Sequence, residues 1–317
     1  MRAAAYAGVM IGVLLGFAII AAVIAVGYVV GRVGILGAGA GTMLGRLAFF
    51  VLNPALLFTV LAEADLANLF SDLLPVAVIV ATLNLVVFAV IALAVWRRPV
   101  PEATIGAVAS SYANATNMGV PISAYVLGDV ATSAPVMLFQ LIVVTPVVLT
   151  ILDLSTSGRV SVARVLLTPV RNPLIIGSAL GLLVALLDVQ PWPELMRFFE
   201  LVGGAAVPVI LIAFGMSLHG QRPLAAGSDR RGILLATALK MLVMPVAAWL
   251  VGGWVFGLAG HALFAAVVLA ALPAGQNVFN FAQRYGRGEG LARDVVLLTT
   301  ALSLPALLIA AALLAPG

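Results

Sequence analysis

Ala113-Asn114-Ala115-Thr116-Asn117-Met118-Gly119-Val120-Pro121 sits inside a long apolar run and combines two amides, a glycine and a proline. Gly119 exposes backbone and lowers helix propensity. Pro121 removes a backbone donor, and its ring clashes with the carbonyl four residues back, at Asn117. Together they predict a helix that unwinds part-way along. A second stretch has the same ingredients: Leu272-Pro273-Ala274-Gly275-Gln276-Asn277-Val278-Phe279-Asn280. If both lie in membrane spans, their freed N–H and C=O groups cannot face lipid; they line a cavity or are buried in protein.

The rest of the chain makes spans the natural reading. Of 317 residues, 63% are hydrophobic and only 9% charged, and the mean hydropathy is +1.21. A soluble domain carries roughly 25% charged residues, so too little charge is present to coat a water-facing surface. A bilayer core needs about 20 apolar residues in a helix, and such runs recur from Ala7 to the C-terminus. The short alternating segments of a transmembrane barrel are missing. The fold class expected is an all-α membrane protein of ten transmembrane helices, near 9–31, 41–62, 70–96, 103–127, 132–153, 173–188, 196–218, 232–256, 261–283 and 295–315. The apolar stretch after Arg2 is longer than a signal-peptide core of about 7–15 residues, so it reads as the first span.

Charge supports this layout. Of the 16 Lys and Arg residues, all but Arg2 and Arg197 fall on one side when ten spans are threaded with the N-terminus outside. Positive residues collect in the cytoplasm, so both termini are expected outside it, in the bacterial inner (plasma) membrane. The basic balance, with a sequence pI near 10.0, then reflects topology, and no nucleic-acid partner is expected. The chain has no cysteine, which removes thiolate metal sites and Cys nucleophiles.

Three prolines recur in order, Pro54 with Pro208, Pro121 with Pro273 and Pro146 with Pro305, at a nearly constant offset of about 155 residues. The units would be residues 1–154 (spans 1–5) and 173–317 (spans 6–10), joined by a short cytoplasmic linker, 155–172. An odd number of spans per unit inverts the second copy, and inverted repeats with broken helices mark many secondary transporters. The broken helices would be spans 4 and 9. Half-helix N-termini carry partial positive charge and free N–H groups, and two meeting mid-membrane would favour an anion.

The candidate substrate-binding residues are therefore Asn114, Asn117, Gly119, Pro121, Pro273, Gln276 and Asn277. Two more are weighed beside them. Lys240, roughly 12 Å into its span, reads first as a side chain snorkelling to the interface and second as a cationic contact for an anion or a link to proton movement. Asn53 either extends the cavity or supports a kink at Pro54. Among other functions, an enzyme is disfavoured: a Gly-x-Ser-x-Gly elbow, a His-Glu-x-x-His pair and two meeting intramembrane carboxylates are all missing. A channel also uses broken helices, but two inverted halves suit alternating access better.

These residues carry a family resemblance along the whole length. Gly27-Tyr28-Val29-Val30-Gly31-Arg32, Asn53-Pro54-Ala55-Leu56-Leu57-Phe58, Asn114 through Pro121, Ala205-Ala206-Val207-Pro208 to Gly215-Met216-Ser217-Leu218, and Pro273 to Ala282 followed by Arg284-Tyr285-Gly286 resemble motifs of the auxin efflux carrier family, whose bacterial members are PIN-like carriers. The resemblance implies a scaffold set and a moving set of helices, elevator-like alternating access, and small organic anions (mono- or dicarboxylates) held where spans 4 and 9 cross, with Asn114 and Asn277 on the motif positions. The related bile-acid:sodium symporters share the plan, so a sodium-coupled symporter is the alternative. Spans 4 and 9 hold amides but no Asp or Glu, which speaks weakly against sodium there. No cofactor is expected beyond coupling to protons or sodium. The partners expected are a small organic anion, the lipid bilayer and, through small residues such as Gly12, Gly16 and Gly27, a second copy in a homodimer.

Overall fold

The computed structural model describes residues 2–37, 39–63, 73–157, 172–187, 191–219, 224 and 229–314, with backbone alone for 2–17 and 283. Among these residues every regular element is helical. In chain order they are α1 (Arg2–Val33), α2 (Ala40–Ala62), α3 (Leu73–Val95), α4 (Val100–Ala109), α5 (115–127), α6 (Val130–Thr156), α7 (Pro173–Leu186), α8 (Pro193–Leu218), α9 (Arg230–Val255), α10 (Gly260–Ala270), α11 (Gln276–Tyr285) and α12 (Glu289–Leu314). Six of them, α2, α3, α6, α8, α9 and α12, are long and apolar enough to cross a membrane. The outward faces are apolar as well, with Phe50, Val86, Leu186, Leu201, Trp254 and Leu313 exposed, as a lipid-facing surface requires.

Prolines shape these helices without ending them. Pro54, Pro121, Pro146 and Pro245 each follow, by two residues, a π turn: Ala48–Leu52, Ala115–Gly119, Gln140–Val144 and Leu239–Val243. A π turn bonds five residues back instead of four. The widened turn takes the ring past the carbonyl it would strike in a regular helix. The unwinding expected at Gly119–Pro121 is therefore not where the chain breaks. The helix runs on through Pro121 to Leu127, and the interruption lies at residues 110–114, between α4 and α5. The second interruption, 271–275 between α10 and α11, does contain its proline, Pro273.

The helices pack as two groups. α1, α2, α7 and α8 form one, and glycines bring their backbones together. A methyl at Gly27 would collide with the Ile212 backbone and one at Gly215 with Ile24; methyls at Gly177 and Gly181 would strike the carbonyls of Pro54 and Phe58. Gly27, read above as a surface for a second copy, is thus used inside the chain against α8; Gly12 and Gly16 lie outside the described side chains. The other group is α3, α4, α6 and α9–α12, around a core that includes Phe88, Ile105, Leu152, Ile233, Val278 and Val295, and α5 packs between the two, against α1 and α8 on one side and α6 on the other.

Gly215→Leu should destabilise the first group by about 1–3 kcal/mol, the usual cost of overpacking. A lowered midpoint of thermal unfolding in detergent checks this; an unchanged midpoint would show that α1 and α8 separate freely.

Candidate functional site

The site is built by the two interruptions, which cross each other. Ala113 and Ala274 face one another as an isolated antiparallel pair. The Asn114 N–H donates to the Pro273 carbonyl at 2.8 Å, and the Gly275 N–H donates to the Tyr112 carbonyl at 2.9 Å. Gly275 is required by this approach: a methyl there would press on the Tyr112 ring and the Ala113 carbonyl. Backbone groups left over from the crossing find side chains on neighbouring helices. The Ala274 N–H donates to Thr299 Oγ1 on α12 at 3.0 Å. The Gln140 amide on α6, in the orientation that satisfies both contacts, donates to the Ala113 carbonyl at 2.9 Å and accepts the Ala113 N–H at 3.2 Å.

The C-terminal ends of α4 and α10 approach the crossing with orphan carbonyls, and each receives one buried side chain. Asn84 on α3 donates through Nδ2 to the carbonyls of Ser110, at 3.0 Å, and Leu239, at 2.8 Å. Lys240 on α9 donates through Nζ to the Ala270 carbonyl at 2.8 Å, with Met244 Sδ at 3.1 Å. A cation at a helix C-terminus also meets the negative end of the dipole. Lys240 is fully buried, so it does not snorkel to an interface. It also lies outside the cavity described next.

The two second halves, α5 and α11, begin at the crossing, so their N-termini point into the space beside it. That space is a cavity of about 760 Å³ between the two helix groups. Of the residues predicted from the sequence, Asn114, Asn117, Gln276 and Asn277 line it; Gly119, Pro121, Pro273, Lys240 and Asn53 do not. Gly119 packs against Leu272 and Ser133. Pro121 is buried within α5, and Pro273 serves through its carbonyl. Asn53 is buried in α2, with no hydrogen-bond partner for its amide among the described residues.

Within the cavity the amides are held differently. Asn114 Oδ1 accepts the Asn117 N–H at 3.3 Å and caps α5, while its buried Nδ2 has no partner among the described residues. Asn277 Nδ2 donates to the Tyr112 hydroxyl at 3.3 Å. That hydroxyl lies 3.3 Å from Thr145 Oγ1, which donates to the Gln140 carbonyl at 2.9 Å. The cavity thus gathers two helix N-termini and the amide residues around them. Sequence reasoning missed Arg46, Tyr112, Gln140, Ser217 and Asn280, which also line it. Asn280 was legible, one turn beyond Gln276 on the same face. Arg46 had been counted among the cytoplasmic charges.

Comparisons with known proteins agree with this architecture. The family model described as "Membrane transport protein" matches residues 13–160 and 156–311. The chain belongs to this family, that of the auxin efflux carriers. A Rhizobium meliloti (strain 1021) protein named "Putative malonate transporter" is 27% identical over 281 residues, covering 83% of this chain and 84% of that protein. Arabidopsis thaliana "Auxin efflux carrier component 6" is 31% identical over 142 residues, covering 43% of this chain and 24% of that protein. The protein is a membrane transporter of this family.

Asn84→Leu strands the Ser110 carbonyl in the interior, whereas the Leu239 carbonyl keeps the Met244 N–H. A buried group left unsatisfied costs about 1–3 kcal/mol, so this variant should unfold at a clearly lower temperature than the wild type while still inserting. Equal midpoints would show that the C-terminal end of α4 needs no cap.

Proposed function

We propose that the protein is a secondary carrier of small organic anions, mono- or dicarboxylates, working by elevator-type alternating access. The observation that carries this is the cavity at the crossing. It collects the N-terminal ends of α5 and α11 with the side chains of Asn117, Gln276, Asn277 and Asn280 beside Asn114, and among the described residues its lining contains no carboxylate. Helix N-termini and amide N–H groups are donors that suit an anion. The printed name of the Rhizobium relative, "Putative malonate transporter", agrees with that chemistry.

The arrangement of the helices supports the mechanism. The α1, α2, α7 and α8 group would be the fixed scaffold, since glycine-mediated backbone contacts tie it together. The α3, α4, α6 and α9–α12 group would move, carrying the crossing with it, and the cavity lies on the seam between them. The ten-span, inverted-repeat reading is supported by matched service on the two sides of the crossing. Asn84 and Lys240 each hold the end of a first half-helix; Gln140 and Thr299 each satisfy a crossing alanine. The lining residues Gly41 and Ser217 mark the end of the cavity nearest the α1–α2 connection. With positive residues inside, that end faces the cytoplasm, both termini lie outside it, and this is the inward-facing state of an inner-membrane carrier.

Asn114→Ala and Asn277→Ala should each weaken uptake of a transported carboxylate about 10-fold or more, the scale of a lost hydrogen bond to a charged group, with membrane insertion intact. Proteoliposome flux over a carboxylate panel, with and without proton and sodium gradients, measures this and identifies the coupling. Near-normal flux in both variants would refute the crossing as the site. A reporter fused to the C-terminus should score as extracytoplasmic; a cytoplasmic signal would refute the topology.

A further inference from the structure

Among the described residues that line the cavity, Arg46 is the single charged side chain. It is the seventh residue of α2, about 9 Å along the axis from Ala40 at 1.5 Å per residue, so it sits inside the protein's span and not in the loop before it. No carboxylate among the described residues lies within ion-pair distance of it. On α2, Gly41, Thr42 and Gly45 line the cavity on the N-terminal side of Arg46, and Ala48, Phe49 and Phe50 line it on the other; a methyl added at Gly45 would meet nothing within 4 Å. The guanidinium therefore has open volume next to it and no anion of the protein's own. On the crossing side of the cavity, the N-termini of α5 and α11 with the amide residues Asn117, Gln276, Asn277 and Asn280 form a second pole of donors.

We propose that Arg46 is a specificity-determining residue: it pairs with a second carboxylate of the substrate while the first is held at the crossing, so the protein selects short dicarboxylates over monocarboxylates. This rests on the reading of the cavity as an organic-anion site. Two poles of the same sign in one cavity, with no carboxylate between them, are matched by an anion with a charge at each end. A monoanion fills one pole and leaves the other to water. A guanidinium presents a planar fork that takes a carboxylate in two parallel hydrogen bonds, which a lysine at this position would not reproduce. The poles belong to different helix groups, Arg46 to the group of α1, α2, α7 and α8 and the crossing to the other. A dicarboxylate would therefore bridge the seam, whereas a monocarboxylate held at the crossing would not.

The test is binding to the purified full-length protein in detergent, with malonate and its monomethyl ester as probes and with Arg46→Gln and Arg46→Lys as variants. The wild type should prefer malonate. Arg46→Gln should raise the Kd for malonate about 10-fold or more, as expected for a lost charge-assisted pair, and alter that for the monomethyl ester less than about 3-fold. Arg46→Lys should fall between. Acidifying until malonate carries a single charge should abolish the wild-type preference without any substitution, so the proposal does not depend on how well a variant folds. Equal weakening of both probes by Arg46→Gln, or malonate binding that it leaves unchanged, overturns the proposal while the anion reading stands. A wild type that binds neither probe overturns the anion reading and this proposal with it.

Discussion

Inside a bilayer no backbone N–H or C=O can be left to lipid, and this constraint organises the structure around residues 110–114 and 271–275. The two interruptions satisfy each other first, through the hydrogen bonds from Asn114 to Pro273 and from Gly275 to Tyr112. What remains is satisfied by Gln140, Thr299, Asn84 and Lys240. These four come from α6, α12, α3 and α9, so one requirement recruits a buried polar side chain from each long helix of that group. Their burial has a single cause. The polarity follows from the same geometry: C-terminal carbonyls of α4 and α10 are capped inside the protein, and the first residues of α5 and α11 line the cavity.

The two helix groups are held by different physics. In the first, glycines let helix backbones touch, as at Gly27 against Ile212 and Gly177 against Pro54; packing at that distance is gained by dispersion over a long contact. In the second, hydrogen bonds to the crossing connect helices that are otherwise joined by ordinary side-chain packing. Neither device spans the seam where the cavity lies. The two groups meet instead through apolar packing, with Ile20, Leu57 and Phe214 in one buried cluster with Val76, Met137 and Leu269.

The long helices were legible in the sequence because apolar run length is a local property, and α2, α3, α6, α8, α9 and α12 fall where hydropathy places them. The crossing was legible in part. Amides are costly in a membrane, so Asn114, Asn117, Gln276 and Asn277 stood out, and all four line the cavity. The position of the first break was misplaced by about seven residues because proline was taken as the breaker. At Pro121 a π turn absorbs the ring. The chain breaks instead at Ser110-Ser111-Tyr112-Ala113-Asn114, which has neither proline nor glycine, because Gln140, Asn84 and the Pro273 carbonyl offer its backbone better partners than its own helix does. Those partners are distant in sequence, so no local window contains the signal. Lys240 was misread for a related reason: depth along a helix was counted, but the free carbonyl of Ala270 could not be seen.

The charge distribution around the crossing bears on coupling. A carboxylate is a common carrier of protons across membranes, cycling between charged and neutral forms. Among the described residues, the cavity is lined by amides, hydroxyls, the donors of two helix ends and Arg46, with no carboxylate. Among the described residues, Lys240 is the fully buried basic side chain beside the crossing, and its Nζ donates to the Ala270 carbonyl. Under the anion-carrier reading, the titratable carboxyl in the cavity is therefore the substrate's own. Under that reading the charge state of the acid itself enters the pH dependence of flux.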